Sequence, residues 1–325
     1  MRVLVTGGAG YIGSHTAKAL AKAGHEPLVL DNLSSGHRWA VKWGRLLEWD
    51  LSNLELLPQF LEKEHVEAVL HFAAYLLVGE SVEQPRKYFW NNVVNTLRLL
   101  DAMQDAGIRR IVFSSSAAVY GDPQEVPIPE DHRKLPVNPY GETKLAMERA
   151  LHWYGNAYGL KWVALRYFNA TGADPDGELG EVHHPEVHLI PLAIQAAQGR
   201  RPHVEIYGTD YPTPDGSAVR DFIHVTDLAD AHVRALEYLA RGGESTALNL
   251  GTGHGCSVRE LIQATGKVSG HPVPFREGPR RQGDPPVLVA NPSRAGQILG
   301  WTPRFSDLET VIRTAWAWHS AHPEE

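Results

Sequence analysis

Apolar positions in the first half of the chain follow two alternating patterns. Short runs rich in β-branched residues and leucine predict strands at residues 2–6, 27–31, 67–72, 110–114 and 162–167. Between them, apolar residues recur at the spacing of one helix face at residues 11–23, 54–64, 88–106 and 140–158. Strands that are apolar throughout and alternate with helices are typical of a parallel sheet covered on both faces. The pattern therefore predicts an α/β fold with a doubly wound parallel sheet, which binds ligands at the carboxyl ends of its strands.

The pattern becomes irregular after Asn169. Residues 171–185 are rich in Gly, Pro, Asp and Glu, and beyond them short strands mix with helices. A length of 325 residues also exceeds the roughly 250 to 300 at which single cores stop growing. We therefore expect a first domain at residues 1–170 and a smaller mixed α/β domain at residues 171–325, with segments such as 219–241 packing back on the first.

Composition and charge narrow the class of protein. Hydrophobic residues at 43% and charged residues at 21% are typical of a globular protein, and no apolar run approaches the roughly 18 residues of a membrane span. A net charge of -7 argues against binding to a nucleic acid backbone. The single cysteine, Cys256, excludes an intrachain disulfide and a zinc site built from cysteines. We expect a cytoplasmic protein that binds neither nucleic acid nor a membrane.

A glycine cluster follows the first predicted strand and opens the first predicted helix. It consists of Gly7, Gly8, Gly10 and Gly13, and it allows the backbone to turn tightly and approach a pyrophosphate. Asp31 ends the second predicted strand, where a carboxylate accepts hydrogen bonds from the adenosine ribose and repels a 2′-phosphate. These residues predict a Rossmann-type site that prefers NAD to NADP. The alternative is that Asp31 only caps a turn.

Tyr140 and Lys144 lie four residues apart on a helix that Pro139 helps to start, so both side chains project from one face. A nearby ammonium lowers the pKa of a tyrosine from its ordinary value near ~10, which makes the phenol a better base. Ser116 follows a predicted central strand and should face the same ligand. Combined with the glycine cluster, these residues indicate redox chemistry on a bound nicotinamide, although Ser116 could simply satisfy backbone groups.

Several short motifs recur in an order that resembles the UDP-glucose 4-epimerase family of the extended short-chain dehydrogenase/reductases. Besides the glycine cluster, they lie at residues 71–74, 78–81, 91–92, 114–116, 119–121, 139–144, 165–169, 219–221 and 279–284. The resemblance covers essentially the whole chain. It implies an isomerase that interconverts UDP-glucose and UDP-galactose with tightly bound NAD, by transient oxidation at C4, rotation of the 4-ketose and return of the hydride.

The resemblance also implies roles for individual residues. Tyr140 is the acid/base, Lys144 holds the nicotinamide ribose and tunes the phenol, and Ser116 binds the reacting sugar hydroxyl. Cofactor contacts are implied for Gly7, Gly10, Tyr11, Ile12, Gly13, Asp31, Asn32, Asp50, Leu51, Phe72, Ala73, Ala74, Asn91, Ser114, Tyr140, Lys144 and Tyr167. Substrate contacts are implied for Ser116, Tyr140, Asn169, His188, Leu189, Tyr207, Arg220, Arg281, Asp284 and Leu288. Asp50 could instead cap a helix, and Asn91 could be a buried asparagine bonded to backbone.

Three positions depart from the family pattern. Leu76 stands where relatives carry a lysine that touches the cofactor, and His188 where they carry an asparagine near the substrate phosphates. Leu288 lies at the position that gates access for N-acetylhexosamines. We expect no metal, because His183, His184 and His188 lie in a loop, where a helical i, i+4 arrangement of ligands has no basis. The family also pairs the helices at 88–106 and 140–158 across a two-fold axis, which implies a homodimer.

Three other functions would require residues that can be checked in the sequence. A nucleotide-sugar 4,6-dehydratase needs an Asp-Glu pair after the strand-end hydroxyl, whereas Ala117 and Ala118 follow Ser116 here. A decarboxylase or epimerase acting on UDP-glucuronate would need a basic clamp for the sugar carboxylate, and one sequence does not exclude it. A non-enzymatic dinucleotide sensor would have no reason to keep Ser116, Tyr140 and Lys144 together.

Overall fold

The computed structural model describes residues 1–281 and 283–322. Gln282, which belongs to the motif at residues 279–284, and the last three residues of the predicted second domain lie outside the described part of the chain. Among the described helices, none has the length and apolar character needed to span a membrane.

The strands and helices alternate through the first half of the chain and mix in the second. The strands are β1 (Arg2–Thr6), β2 (Glu26–Asp31), β3 (Arg45–Glu48), β4 (Ala68–His71), β5 (Arg110–Ser116), β6 (Lys161–Tyr167), β7 (Asn169–Thr171), β8 (Val204–Tyr207), β9 (Val219–Arg220), β10 (Phe222–His224), β11 (Thr246–Leu250), β12 (Cys256–Ser257), β13 (Phe275–Gly278) and β14 (Val287–Leu288). The α-helices are α1 (Tyr11–Lys22), α2 (Leu57–Lys63), α3 (Val78–Glu83), α4 (Pro85–Tyr88), α5 (Asn95–Asp105), α6 (Pro139–Tyr158), α7 (Leu189–Ala197), α8 (Val225–Ala240), α9 (Val258–Ser269), α10 (Ser293–Leu299) and α11 (Leu308–Ala321).

The largest sheet has seven parallel strands in the order β11-β6-β5-β4-β1-β2-β3. The chain reverses its direction of travel across the sheet between β1 and β4, so the glycine cluster after β1 lies at the switch point. This arrangement confirms the predicted doubly wound parallel sheet. The outer strand β11 belongs to the second half of the chain, so both halves build this layer.

Successive side chains of the central strands enter two different cores, because neighbouring residues of a strand point to opposite faces. In β1, Val3 and Val5 join a core with Leu20 of α1 and Leu236 of α8, all fully buried. Leu4 joins the opposite core, which includes residues of α2, α5 and α6. Both faces are covered by helices, which explains why these strands are apolar throughout.

The helix expected at residues 88–106 differs in the structure, because a π-helical segment at Phe89–Val94 separates α4 from α5. The buried side chain of Asn92 accepts a hydrogen bond from the backbone N–H of Tyr75 at 2.8 Å and donates to its carbonyl at 3.0 Å. The wider turn brings Asn91 and Asn92 to the region beside the site, where π-helical turns are common.

Small sheets and helices form the second half of the chain. Strand β7 pairs with β10, β8 pairs with β13, and β9 lies between β12 and β14. Residues of α7, β8, α9 and α11 share a separate core that includes Ile194, Ile206, Leu261 and Val311. The division into domains at residues 1–170 and 171–325 stays a prediction.

Four buried histidines should make the protein sensitive to mild acid. Burial lowers the pKa of His71 and His224 to about 3, and of His15 and His232 to about 4. Below about pH 6.5 the histidines therefore bind protons in the unfolded chain but not in the folded chain. The free energy of unfolding decreases by roughly 1.4 kcal/mol for each histidine and each unit by which the pH is lowered. Urea midpoints measured from about pH 7 to about pH 5 should show this decline.

The matched comparison uses one buried and one exposed histidine. His232 is fully buried and its Nε2 has no hydrogen-bond partner among the described residues, whereas His254 is exposed. His232→Gln should weaken the dependence on pH, and His254→Gln should not. Equal slopes in wild type and His232→Gln would contradict the prediction.

Candidate active site

A cavity of about 1100 Å³ opens at the carboxyl ends of the central strands. Its lining includes every residue with a predicted cofactor or substrate contact except Leu288. Leu288 belongs instead to a small cluster that includes Tyr120 and Phe168, and only Phe168 of these three lines the cavity. The predicted contact residues therefore line one cavity together with a similar number of other residues, and Leu288 lies behind it.

The glycine turn after β1 has no room for side chains. A Cβ on Gly7, whose φ is +70°, would lie 2.6 Å from the backbone nitrogen of Ala73, and one on Gly13 would lie 2.2 Å from the carbonyl oxygen of Gly7. Helix α1 then begins at Tyr11 without a side-chain cap. Free N–H groups at such a helix start suit the pyrophosphate of a dinucleotide.

Asp31 caps a turn and can still accept hydrogen bonds from a ribose, so its geometry fits both roles considered from the sequence. Its carboxylate accepts hydrogen bonds from the backbone N–H groups of Ala9 at 3.0 Å and Leu33 at 2.8 Å, as a turn cap does. A carboxylate offers about four lone pairs, so acceptor capacity remains for a ribose. Burial raises the pKa of Asp31, and these two hydrogen bonds oppose the rise.

Asp50 lines the cavity beside Asn32 but does not cap a helix. It accepts hydrogen bonds from the side chain of Asn32 at 2.6 Å and the backbone N–H of Ser52 at 2.7 Å. These contacts with Ser52 and Asn32 lower its pKa. The next helix, α2, begins only at Leu57. Asp50 therefore closes a local turn and joins Asn32 at the cavity wall.

Tyr140 and Ser116 meet where α6 begins and β5 ends. The Asn138 side chain caps the helix by accepting a hydrogen bond from the N–H of Gly141 at 2.9 Å. Ser116 Oγ accepts one from the N–H of Ala118 at 3.1 Å, so it also satisfies the backbone. Burial raises the pKa of Tyr140, and a hydrogen bond with the Ser116 side chain opposes the rise.

Lys144 lies one turn further along α6 and is buried. Its Nζ donates a hydrogen bond to the Ser114 carbonyl at 2.7 Å and lies 5.8 Å from the centre of the Tyr140 ring. Burial lowers the pKa of Lys144 to about 7. The expected lowering of the Tyr140 pKa by this ammonium is not found in the structure, because burial dominates both groups and leaves Lys144 only partly charged near neutrality.

Two polar positions separate into a lining residue and a supporting residue. Asn91 lines the cavity and donates a hydrogen bond to the Asn92 side chain at 3.0 Å. Asn92 is buried and also donates to Thr143 Oγ1 at 3.2 Å, so it joins the π-helical segment to α6. The structural role that the sequence left open for Asn91 belongs mainly to Asn92. Leu76 lines the cavity without supplying an ammonium.

Basic side chains line the part of the cavity formed by the second half of the chain. Arg220 forms an ion pair with Asp284, and the guanidinium of Arg281 lies 3.8 Å from the centre of the Tyr207 ring. Guanidinium groups bind phosphates through paired donors. Arg201 also lines this region. Sequence reasoning missed Arg201, because an arginine in a loop gives no local signal.

His188 belongs to a group that the sequence did not predict. His183, His188, Glu181 and Glu186 lie together in the segment before α7, and Glu181 Oε1 is 2.9 Å from His188 Nδ1 and 3.2 Å from His183 Nδ1. Burial alone would lower the pKa of both histidines, but the carboxylates raise it to about 9 for His183 and about 10 for His188. His184 points elsewhere, with its ring against that of His37. The alternating acidic and imidazole residues at 181, 183, 186 and 188 were the available signal.

Known proteins resemble this chain over its full length. Residues 3–251 match the NAD dependent epimerase/dehydratase family. The chain is 52% identical to UDP-glucose 4-epimerase of Lacticaseibacillus casei, over all of this chain and 98% of the relative. A solved structure of UDP-glucose 4-epimerase from Brucella ovis in complex with NAD is 55% identical, covers 97% of each chain and has a TM-score of 0.95.

A second solved structure extends the likeness to a complex with a nucleotide sugar. UDP-glucose-4-epimerase from Stenotrophomonas maltophila, with bound NAD and formylated UDP-arabinopyranose, is 42% identical, covers 99% of each chain and has a TM-score of 0.96. The family predicted from the sequence motifs is confirmed. The chain belongs to the NAD dependent epimerase/dehydratase family.

Proposed function

We propose that this protein is an isomerase that interconverts UDP-glucose and UDP-galactose with bound NAD. The observation that carries the proposal is the convergence of Ser116, Tyr140 and Lys144 on one cavity, between the glycine turn and the arginines of the second half. A cavity of about 1100 Å³ is large enough for a dinucleotide beside a nucleotide sugar. The names of the full-length relatives support the same activity.

The part of the cavity that is lined by the glycine turn, Asp31 and Asn32 fits NAD. The glycine turn and the start of α1 would hold its pyrophosphate, and Asp31 with Asn32 would hold its adenosine ribose. Lys144 would hold the nicotinamide ribose. When bound, NAD supplies a reversible hydride acceptor for the sugar C4.

Tyr140 and Ser116 handle the proton at the sugar 4-hydroxyl. The phenolate of Tyr140 takes this proton as the C4–H bond breaks, and Ser116 holds the hydroxyl by a hydrogen bond. Donating the proton back from the phenol completes the turnover after the hexose has presented its other face. Arg220 and Arg281 would hold the diphosphate, so that the nucleotide stays fixed while the sugar rotates.

One direct assay tests this function. The purified protein, incubated with UDP-galactose and without added cofactor, should form UDP-glucose and carry an absorbance from NAD. UDP-galactose labelled with deuterium at C4 should keep the label at C4 in the product, because the same hydrogen leaves and returns. Loss of the label to water, or absence of UDP-glucose, would contradict the proposal. The short helix at Ala117–Val119 offers no acid after Ser116, so no 4-keto-6-deoxy product is expected.

Asp31 gives a test of the cofactor assignment. Replacing Asp31 by Asn removes its charge and one ribose acceptor, so NAD should bind roughly 10- to 100-fold more weakly and its advantage over NADP should narrow. Dissociation constants for both dinucleotides measure this. The thermal midpoint is the control, because Asp31 also caps a turn. An unchanged preference with a weakened fold would leave Asp31 with the structural role alone.

We also propose a homodimer formed through α6 and the neighbouring π-helical segment. Large apolar side chains are exposed there, with Trp90 at 53% and Trp153 at 67%. Wild type should sediment as a dimer and Trp153→Glu as a monomer, because a carboxylate would be buried without a partner. The control is Phe275→Glu, which changes an exposed aromatic residue elsewhere and should leave the dimer intact. A dimeric Trp153→Glu would contradict the proposed interface.

We propose the cytoplasm as the place of this activity. The single cysteine, Cys256, is free, and burial raises the pKa of its thiol to about 12. An unreactive thiol of this kind agrees with a reducing compartment.

A further inference from the structure

Four side chains before α7 form what we call the loop cluster, which consists of Glu181, His183, Glu186 and His188. One ligating atom from each lies within 4.8 Å of all the others. The Nδ1 atoms of both histidines face the carboxylates. His188 Nδ1 is 2.9 Å from Glu181 Oε1 and 2.9 Å from Glu186 Oε1, and His183 Nδ1 is 3.2 Å from Glu181 Oε1 and 3.8 Å from Glu186 Oε2.

These separations between histidine nitrogens and carboxylate oxygens, which involve both oxygens of Glu186, lie near the ligand–ligand spacing of a tetrahedral metal site. Zinc binds histidine nitrogen and carboxylate oxygen at about 2.0 to 2.2 Å, so that ligand atoms around it lie about 3.3 Å apart. Separations of 2.9 to 3.8 Å bracket this value. Nitrogen and oxygen ligands in this ratio suit Zn²⁺ and Co²⁺ better than Mg²⁺ or Ca²⁺, which prefer oxygen.

An unsatisfied atom also points to a ligand. His183 Nδ1 is buried and makes no hydrogen bond of good geometry with any described residue, although Glu181 Oε1 is near it. Buried polar atoms normally have a partner, and those that lack one often lie beside an ion or water. The two carboxylates of the cluster face the two histidines, and a divalent cation bound between them would take the place of the histidine protons. We propose that the loop cluster is a binding site for a divalent transition-metal ion, with Zn²⁺ as the natural occupant.

A second acidic group in the same loop shows the contrast. Asp174, Asp176 and Glu178 also lie within ligating distance of one another. Their charges are already balanced, because Lys18 Nζ lies 2.7, 2.9 and 2.6 Å from the three carboxylates. The loop cluster holds no lysine or arginine of this kind among its described contacts. Its carboxylates face His183 and His188 instead, and a metal ion can displace the protons of these histidines, whereas it cannot remove the side chain of Lys18.

The position of the loop cluster suggests a structural role for the ion. The segment of residues 172–188, between β7 and α7, contains no helix or strand. Two points of this segment contact Tyr11, because the Tyr11 hydroxyl donates to the Gly172 carbonyl at 2.6 Å and the His183 ring lies edge-on to the Tyr11 ring at 6.4 Å. Tyr11 begins α1 directly after the glycine turn. An ion at the cluster would fix this segment against the turn that binds the pyrophosphate.

Retention of the cofactor is the expected consequence, and this part rests on the proposed function. Leu76 leaves the cavity without the lysine that touches the dinucleotide in relatives. A segment fixed beside Tyr11 would compensate by slowing the exit of NAD. His188 would then act as a ligand through Nδ1 and not as a direct contact to the substrate phosphates.

Metal binding can be measured without any assay of activity. Full-length protein should be stripped with a chelator and titrated with Zn²⁺ by calorimetry and with Co²⁺ by visible absorption, where four-coordinate Co²⁺ gives intense bands. We expect about one ion per chain, bound at micromolar concentration or below. His183→Ala and His188→Ala should weaken binding by more than the roughly 10- to 100-fold typical of losing an outer-shell partner.

His184→Ala is the matched control, because it changes the residue next to His183 in the same loop without touching the cluster. It should bind metal as wild type does. Glu181→Gln keeps the size of the side chain but removes the charge of a ligand, so it should also weaken metal binding. It takes the place of the alanine variants in the test if those variants do not fold. Stripped wild-type protein that binds neither ion, or equal binding by wild type and both histidine variants, would overturn the site.

The role of the ion has its own readout. Stripped wild type should release NAD faster on gel filtration than the Zn²⁺-loaded protein, and His184→Ala should behave like wild type. Metal binding with unchanged NAD release would overturn the proposed effect on retention. A protein that binds metal but never converts UDP-galactose would contradict the proposed function and leave the metal site standing.

Discussion

Replacing Tyr140 by phenylalanine should lower kcat by roughly 10²- to 10⁴-fold, which is the usual contribution of a positioned acid/base. The change removes one oxygen and keeps the ring, so the fold and NAD binding should persist. Burial raises the pKa of this phenol, so more phenolate forms as the pH rises, whereas the Lys144 ammonium, with a pKa of about 7, is lost over the same range. Wild-type kcat should therefore pass through a maximum with pH, and the variant should lose the rising limb together with the rate. Rates measured with UDP-galactose across a pH series report both effects.

Tyr154→Phe provides the matched control. Tyr154 lies on the same helix, α6, and its hydroxyl donates a hydrogen bond to Asp101 at 2.6 Å, outside the cavity. The same chemical change there should leave kcat and its pH dependence unaltered. A Tyr140→Phe enzyme that keeps a near-normal rate would remove Tyr140 from the mechanism and leave Ser116 or Lys144 as the proton-handling group.

Local chemistry made much of the site predictable from sequence. The glycine turn is a continuous motif whose geometry depends on a few neighbouring residues, and the pair Tyr140 and Lys144 depends only on helical spacing. Strand β1 was predictable for the same reason, because an apolar run identifies a strand buried on both faces. Each of these features is encoded within about ten residues of sequence.

Features that depend on distant partners could not be predicted in this way. Strand β11 pairs with β6 at the edge of the large sheet, although about 80 residues separate the two strands. The hydrophobic pattern of β11 does not indicate which strand it pairs with. Glu181 and Glu186 gain their meaning only beside His183 and His188. The raised pKa of Tyr140 was not predictable either, because it results from burial. Helical spacing gives the position of Lys144 beside Tyr140, but it does not show that both side chains are removed from solvent.

The largest feature that the sequence concealed is a buried polar network behind the catalytic residues. Arg166 of β6 forms a paired contact with Glu148 of α6, through Nε at 2.8 Å and Nη2 at 2.5 Å. Its Nη1 donates to the Tyr120 hydroxyl at 2.9 Å, and the Ser115 hydroxyl donates to Glu148 at 2.5 Å. Arg166 and Glu148 are 3% and 7% exposed, so water cannot replace either partner.

Removing one partner of this pair should be strongly destabilising. Arg166→Met leaves the Glu148 carboxylate buried without its cation, and Glu148→Leu leaves the guanidinium without its anion. Each change should lower the free energy of unfolding by about 3–5 kcal/mol, which is typical for breaking a buried ion pair. Urea unfolding of the NAD-free proteins measures the loss. Arg234→Met is the control, because its ion pair with Asp230 is partly exposed and should contribute less than about 1 kcal/mol.

The double variant Arg166→Met with Glu148→Leu should separate stability from catalysis. With both charges gone, no uncompensated ion remains, so most of the lost stability should return.

Glu148 also lies one turn beyond Lys144, and its charge raises the pKa of Lys144 against the effect of burial. Without that carboxylate, the Lys144 pKa should fall below about 7, so less Lys144 ammonium is present at neutral pH. The kcat of the double variant should therefore be lower than that of wild type, even though its stability is largely restored. Moving the assay to lower pH should then restore part of the rate relative to wild type. A double variant with full stability and full activity would show that the pair serves neither Lys144 nor the proton transfer at Tyr140.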